Sequence, residues 1–169
     1  MGVNTDQMNN YAEETRKLCE IYDDFTKKVQ SLGSKVKGRR RSSKFAGSFA
    51  HWIGGSHIKT EREVLCEQFL EDVQAQLEMI VNIVNECDDD KATKLCNEVA
   101  EILMEPRDAS SDSTTDLMKR AMIGQVEPFL EFVSKEKLFE LKENMEKAYG
   151  IRKMLPVEKN IYKAVKKLL

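Results

Sequence analysis

The sequence predicts an all-α protein, a single-domain up-and-down bundle of about five to seven helices, two of them long. Only three prolines and eight glycines occur in 169 residues, fewer turn residues than an all-β chain of this length requires. Leu, Glu, Lys, Met and Ala, which favour helices, are plentiful. Apolar residues, 41% of the chain, recur every three or four positions, as on one side of a helix. We therefore expect residues 1–169 to form a single helical domain.

The first long helix is expected over residues 5–32. One apolar stripe runs along it with spacings of three and four residues, and Thr15 fills a gap in the pattern. The stripe consists of Met8, Tyr11, Leu18, Tyr22, Phe25, Val29 and Leu32. Gly33 and Ser34 follow directly and predict the end of this helix.

The second long helix has the clearest pattern and is expected to begin after Thr60. Thr60 and Glu63 predict a capping box, in which each side chain accepts a hydrogen bond from the other residue's backbone N–H. The main apolar stripe consists of Cys66, Leu70, Val73, Leu77, Ile80, Val84 and Cys87. Leu65, Phe69, Val81 and Ile83 widen it, so we expect a central helix. An intermolecular coiled coil is the alternative, but short helices surround stripes of only about four heptads.

Three consecutive aspartates, Asp88, Asp89 and Asp90, predict the start of a third helix, because carboxylates cap a helix and complement its dipole. A calcium site would need the alternating ligands, central glycine and later glutamate of an EF-hand, which are absent. We expect this helix to end near residue 104, before Pro106. The polar residues 106–115 predict a mobile loop.

The C-terminal third predicts three shorter helices. The first covers residues 115–126, after which Pro128 either kinks it or opens a new helix. Ser134 is expected to cap the next helix, Gly150 to end it, and Pro156 to open the last one. The last helix places four lysines opposite its apolar residues, namely Lys159, Lys163, Lys166 and Lys167 against Ile161, Val165 and Leu168. We interpret it as a bundle member with solvated lysines; a second membrane or partner contact is the alternative.

The chain shows the features of a cytoplasmic protein, with peripheral membrane contact as an option. No apolar stretch reaches the roughly 20 residues that a membrane-spanning helix needs, and the polar first thirty residues predict no secretory signal. Gly2 fits N-myristoylation, but Asp6 stands where Ser or Thr is preferred, which argues against lipidation. Without any C-x-x-C spacing, four cysteines are expected to be reduced and partly buried: Cys19, Cys66, Cys87 and Cys96.

The sequence carries no recognisable catalytic signature. His51 and His57 lack the H-E-x-x-H or Cys/His clustering of a zinc site. Phosphate-binding glycine loops and the G-x-S-x-G elbow are absent. Glu67 and Glu71 lack the Glu-x-x-His pairs of a di-iron bundle. We predict a protein that is not an enzyme, without catalytic residue, cofactor or metal; a helical enzyme with an unreadable site is the remaining alternative.

The candidate site lies in residues 33–59, a predicted connection that we call the basic-aromatic segment. Residues 35–59 carry seven basic and no acidic side chains, whereas residues 60–116 carry four basic and sixteen acidic ones. The candidate residues for binding a membrane or partner are Lys35, Lys37, Arg39, Arg40, Arg41, Lys44, Phe45, Phe49, Trp52 and Ile53. Ser42 and Ser43 each follow two arginines in the R-R-x-S arrangement of basophilic kinase sites, which predicts phosphorylation.

Cations beside bulky aromatic residues suit an anionic membrane surface. The leading hypothesis is therefore a non-enzymatic signalling or adaptor module that docks to an anionic membrane or an acidic protein partner and is regulated by phosphorylation. A membrane-active, cell-death-like effector that perturbs the bilayer is the runner-up. Internally, the segment could instead pack on the bundle as a crossover helix or against the acidic middle of the chain. Overall acidity disfavours nucleic acid, and the sequence leaves the partner, pathway and oligomeric state open.

Overall fold

The computed structural model describes residues 2–35 and 60–169, with side chains described for residues 12–32 and 60–169. Within these ranges the chain forms six α-helices, two 3₁₀ helices and no strand, which confirms the predicted all-α bundle. The α-helices are α1 (Gly2–Lys35), α2 (Glu61–Glu86), α3 (Asp89–Leu103), α4 (Thr114–Ala121), α5 (Lys135–Tyr149) and α6 (Pro156–Leu168). The 3₁₀ helices are Met122–Phe132 and Ile151–Lys153.

The two long helices, α1 and α2, pack as an antiparallel pair. The rings of Phe25 and Phe69 stack with their centroids 4.2 Å apart. Nearer the start of α1, the Gln76 side-chain amide donates to the Glu14 backbone oxygen at 2.9 Å and to its carboxylate at 2.6 Å. Moving forward along α1 from Glu14 to Phe25 thus moves backward along α2 from Gln76 to Phe69. The end of α1 and the start of α2 consequently lie at the same end of the bundle.

The remaining helices close one continuous core around this pair. α1 also packs against α3 and α4, the 3₁₀ helix Met122–Phe132 packs against α3 and α6, and α5 packs on α6. The fully buried side chains come from α1, α2, α3, the 3₁₀ helix Met122–Phe132, α5 and α6 and include Leu18, Val73, Ile80, Val99, Val126, Met145 and Val165. Each such side chain contributes about 1.5–3 kcal/mol when it leaves water, so packing rather than helix propensity holds the fold.

The predicted helix starts are confirmed at three capping residues. The Thr60 hydroxyl accepts the backbone N–H of Glu63 at 3.1 Å. The Asp88 carboxylate accepts the N–H of Lys91 at 2.9 Å, and the Ser134 hydroxyl accepts that of Lys137 at 3.2 Å. Gly150, with a φ of 61°, ends α5, and Pro156 opens α6, both as predicted.

The predicted stop after the first helix was too early. α1 continues through Gly33 and Ser34 to Lys35, because one glycine costs a helix only about 1 kcal/mol. The first three residues of the predicted connection 33–59 therefore belong to α1.

The predicted helix over residues 115–126 was wrong at its end. α4 stops at Ala121, and the chain continues as a 3₁₀ helix that contains Pro128. The buried residues Ile123, Val126 and Phe129 recur every three positions, which is the repeat of a helix with three residues per turn. Pro128 therefore neither kinks an α-helix nor opens one.

The polar connection between α3 and α4 covers residues 104–113 and is displaced by two residues from the predicted loop 106–115, because α3 ends at Leu103 and α4 begins at Thr114. The Arg107 N–H donates to the Tyr149 hydroxyl at 2.6 Å. The Asp108 carboxylate accepts from the Ser110 N–H at 2.9 Å and from its hydroxyl at 2.8 Å. These bonds fix the first half of the loop to α5 and to itself, while its mobility stays a prediction.

Candidate functional site

Most of the predicted binding residues lie outside the described part of the chain. Lys35 is the last residue of α1. The others fall within residues 36–59 and comprise Lys37, Arg39, Arg40, Arg41, Ser42, Ser43, Lys44, Phe45, Phe49, Trp52 and Ile53. Their roles remain predictions, and the described residues define how the segment is attached to the bundle.

Both attachment points of the basic-aromatic segment lie at one end of the α1–α2 pair. From the stacked rings, α1 continues ten residues from Phe25 to Lys35, and α2 reaches back eight residues from Phe69 to Glu61. At 1.5 Å per residue these stretches measure about 15 Å and 12 Å, so the two helix ends lie near the same level along the pair.

The connection between these ends is longer than the helices require. Neighbouring helices in a bundle are usually joined by roughly 2–8 residues, whereas 24 residues, 36–59, separate Lys35 from Thr60. The extra length carries six of the seven basic residues of 35–59. The antiparallel α1–α2 pair needs only a short connection. The length and the basic residues of 36–59 are therefore not required by the topology of the bundle.

A groove of about 640 Å³ between α1 and α2 offers the segment an internal place to dock. Its apolar lining includes Phe25, Leu65, Phe69 and Met79. Its charged lining is mixed, with Lys17, Lys27 and Lys28 beside Glu20, Asp23, Asp24 and Asp72. Such a surface could hold aromatic rings, but its four carboxylates are largely offset by its three lysines, so it attracts arginines only weakly. The groove therefore suits the aromatic residues of the segment better than its basic residues. The segment could bind there instead of to an external partner.

A second groove, of about 480 Å³, lies between α1, α3 and α5 and contains the exposed Cys19. Burial, and then the charge of Asp23, raise the pKa of the Cys19 thiol. Burial likewise raises the pKa of Cys96 to about 12. Raised pKa values keep both thiols protonated at neutral pH and therefore poor nucleophiles. Across residues 12–32 and 60–169, no group of three or more His, Cys, Asp and Glu side chains could hold a metal ion.

A buried ion pair, Arg120 with Glu158, ties α4 to α6. The Arg120 Nε and NH2 donate to the two Glu158 carboxylate oxygens at 3.1 and 2.6 Å, and NH2 also donates to the Lys153 backbone oxygen at 2.9 Å. The guanidinium lies over the Tyr149 ring, 4.5 Å from its centroid. The hydrogen bond to Glu158 raises the pKa of Arg120. The side chains are only 3% and 1% exposed.

This ion pair acts as a clamp within the fold. One Glu158 oxygen additionally accepts the Leu155 N–H at 2.7 Å, which completes the cap of α6. Removing one partner of such a pair typically costs about 3–5 kcal/mol, because the other charge stays buried alone. Sequence reasoning missed the pair, since the two residues lie 38 positions apart. The one local signal was Glu158 two residues after Pro156, at the third position of a helix.

The last helix is a bundle member, as interpreted from its pattern. Ile161 and Val165 are buried, together with Tyr162. Lys159, Lys163, Lys166 and Lys167 are exposed on the other side. Among the helices of the described residues, none is long and apolar enough to cross a membrane.

The chain matches no protein-family model, no curated protein and no solved structure. The candidate site therefore depends on the chemistry of this chain's own residues. Two groups of basic residues are considered further: those of the basic-aromatic segment and the exposed lysines of α6.

Proposed function

We propose that this protein is a non-enzymatic helical interaction module that docks to an anionic membrane, or to an acidic protein partner, through the basic-aromatic segment. The observation that supports the proposal most is the position of the segment. A stretch with seven basic and no acidic residues is inserted between two helix ends that are level with each other. The helical bundle serves as the scaffold that presents it.

The expected energies are large enough for reversible membrane binding. Each cation near an anionic surface contributes about 1 kcal/mol. An aromatic or aliphatic side chain buried in the interface contributes roughly 1.5–3 kcal/mol. Phosphorylation of Ser42 and Ser43 would add about −3 to −4 of charge and cancel about half of the attraction. The segment would then work as an electrostatic switch, bound when unmodified and released when phosphorylated.

An anionic bilayer could bind both the basic residues and the large apolar residues of the segment. Its cations match lipid headgroups, and Phe45, Phe49, Trp52 and Ile53 match the interfacial region below them. An acidic protein would use the cations but would need an apolar patch of its own. The bilayer-perturbing effector is less favoured, since Ile161 and Val165 of α6 are buried in the core and would have to leave it.

Co-sedimentation with vesicles tests the proposal. The wild-type protein is expected to pellet with anionic vesicles at low salt, where attraction is least screened, and to stay in solution with neutral vesicles. Ser42→Glu with Ser43→Glu is expected to weaken the partition by up to about 30-fold, since two negative charges are added and offset two of the cations. The matched control is Ser110→Glu with Ser111→Glu, which makes the same charge change in the α3–α4 connection and is expected to bind as the wild type.

Absence of pelleting with anionic vesicles at low salt would contradict the membrane version of the proposal. In that case, binding to poly-glutamate that is lost in the Ser42→Glu, Ser43→Glu variant would assign the segment to an acidic protein partner. Failure with both probes would leave the segment as an internal part of the bundle.

A further inference from the structure

The exposed side of α6 carries a compact row of lysines that the proposed function does not use. Lys159, Lys163, Lys166 and Lys167 occupy positions that fall within an arc of about 100° on a helix with 3.6 residues per turn. The row is about 12 Å long at 1.5 Å per residue. The helix contains one acidic residue, Glu158, which is 1% exposed and engaged by Arg120. Its outer side is therefore purely cationic.

Little within the described part of the chain neutralises this row. No ion pair is formed there by Lys159, Lys163 or Lys167. Lys166 lies over the Tyr162 ring, 5.4 Å from its centroid, and the Tyr162 hydroxyl donates to Glu146. Glu146 of the neighbouring helix α5 thus interacts with Lys166, and it also pairs with Lys142. Three of the four lysines remain available to an external anion.

The opposite side of α6 limits what the helix can do at a membrane. Ile161 and Val165 are buried in the core, and Glu158 is held by a clamp that also caps the helix. An amphipathic helix that enters a bilayer does so with its apolar side, and in α6 the Ile161 and Val165 part of that side is already occupied by the protein, while Leu168 at its end is exposed. If α6 contacts a membrane, its lysines can bind the lipid headgroups while the buried side of the helix stays in the core.

We propose that the lysine row of α6 is a second, purely electrostatic contact with an anionic lipid bilayer, in addition to the basic-aromatic segment. This inference depends on the proposed function, because it concerns the same membrane. The 24 residues of 36–59 can extend to at most roughly 80 Å, so the segment can reach the plane on which α6 rests. Two linked contacts on one surface strengthen binding beyond either alone.

The first test compares two triple variants of the full chain. Lys159→Gln, Lys163→Gln and Lys167→Gln remove most of the row. Lys94→Gln, Lys135→Gln and Lys147→Gln remove three lysines that are likewise exposed but lie on other helices, one on α3 and two at opposite ends of α5. Both variants have the same net charge. Removing one lysine that contacts the membrane is expected to weaken vesicle binding by up to about fivefold. The row variant should therefore bind anionic vesicles at least about tenfold more weakly than the control variant.

The second test needs no substitution. Amine-reactive labelling of the wild-type protein, read by mass spectrometry, is expected to slow at Lys159, Lys163 and Lys167 when anionic vesicles are added. Labelling of Lys94, Lys135 and Lys147 should stay unchanged. Vesicles loaded with dye should not leak, because the contact stays at the headgroups.

The outcomes separate the two proposals. Equal binding by the two triple variants, or equal labelling of the two lysine sets, overturns the α6 contact while vesicle binding by the wild type still supports the basic-aromatic segment. If the wild type does not bind anionic vesicles at all, the α6 contact and the membrane version of the proposed function are both overturned. Thermal unfolding by circular dichroism checks that both variants are folded, as expected for exposed positions.

Discussion

Polar side chains inside the bundle show how hydrogen-bond partners decide the cost of burial. Arg120 and Glu158 satisfy each other and the surrounding backbone. Gln76 bonds to Glu14 across α1 and α2. Tyr22 differs, because its ring packs on Phe69 while its buried hydroxyl has no hydrogen-bond partner among the described residues. Burial raises the pKa of Tyr22 far above its ordinary value. An unsatisfied buried hydroxyl costs about 1–3 kcal/mol.

Tyr22→Phe is therefore predicted to raise the free energy of unfolding by about 1 kcal/mol, since it removes the unsatisfied hydroxyl and keeps the ring. Tyr149→Phe is the matched comparison. The Tyr149 hydroxyl accepts the Arg107 N–H at 2.6 Å, so its removal is predicted to lower the free energy of unfolding by about 1 kcal/mol. Urea denaturation of both variants measures the two signs. A loss of stability in Tyr22→Phe would show that the hydroxyl has a partner after all.

At the scale of elements, the helix caps could be predicted from the sequence, whereas the 3₁₀ helix could not. The caps at Thr60, Asp88 and Ser134 use side chains that bond to the backbone three residues on, so a short window contains the whole interaction. The 3₁₀ helix Met122–Phe132 depends on burial at every third position. That repeat differs from an α-helical one by too little over eleven residues to be separated before the packing partners are known.

The packing of the 3₁₀ helix against α6 gives a prediction at this scale. A Cβ added at Gly124 would lie 2.9 Å from Cγ2 of Val157, and a β-branched side chain has little freedom to move away. Gly124→Ala is predicted to lower the free energy of unfolding by about 1–3 kcal/mol. Adding Val157→Ala removes the clash and should recover part of that loss. Thermal denaturation of the single and double variants measures both; additive losses would contradict a contact between these residues.

Long-range pairs mark the limit of prediction from one sequence. Glu14 and Gln76 lie 62 positions apart, and Arg120 and Glu158 lie 38 apart. Neither pair has a local signature, because each forms only after whole helices have docked. The burial of the α1 stripe, by contrast, followed from spacing alone, and Leu18, Tyr22, Phe25 and Val29 are buried as predicted.

For the whole molecule, the apolar residues that hold the fold and the basic residues of the connection lie in different parts of the sequence. The apolar stripes of α1, α2, α3 and α6 meet in one core, while the basic residues of 35–59 lie in a connection that the hairpin does not require. The sequence predicted this charge segregation in full. The antiparallel α1–α2 pair and the outward lysines of α6 also agree with the prediction of an up-and-down bundle with a solvated last helix. What the sequence could not provide was the pairing of particular residues across α1 and α2, which shows that both ends of the connection lie at the same end of the pair.

The aromatic residues of the basic-aromatic segment could bind either to the groove between α1 and α2 or to an anionic bilayer. The groove between α1 and α2 offers Phe25, Leu65, Phe69 and Met79, with four carboxylates and three lysines that nearly cancel in charge. An anionic bilayer offers apolar depth together with negative charge, which suits both halves of the segment. The balance of charge therefore favours the membrane over the groove, and more strongly at low salt than at high salt.

The emission of Trp52, the single tryptophan of the chain, tests this claim most directly. In the free wild-type protein at low salt we expect emission typical of an indole in water. Addition of anionic vesicles should shift it to the blue, and high salt should reverse the shift. Quenching by lipids brominated along their acyl chains should accompany it. An emission that is already blue in the free protein, and that anionic vesicles leave unchanged and unquenched, would place Trp52 within the bundle and contradict the account.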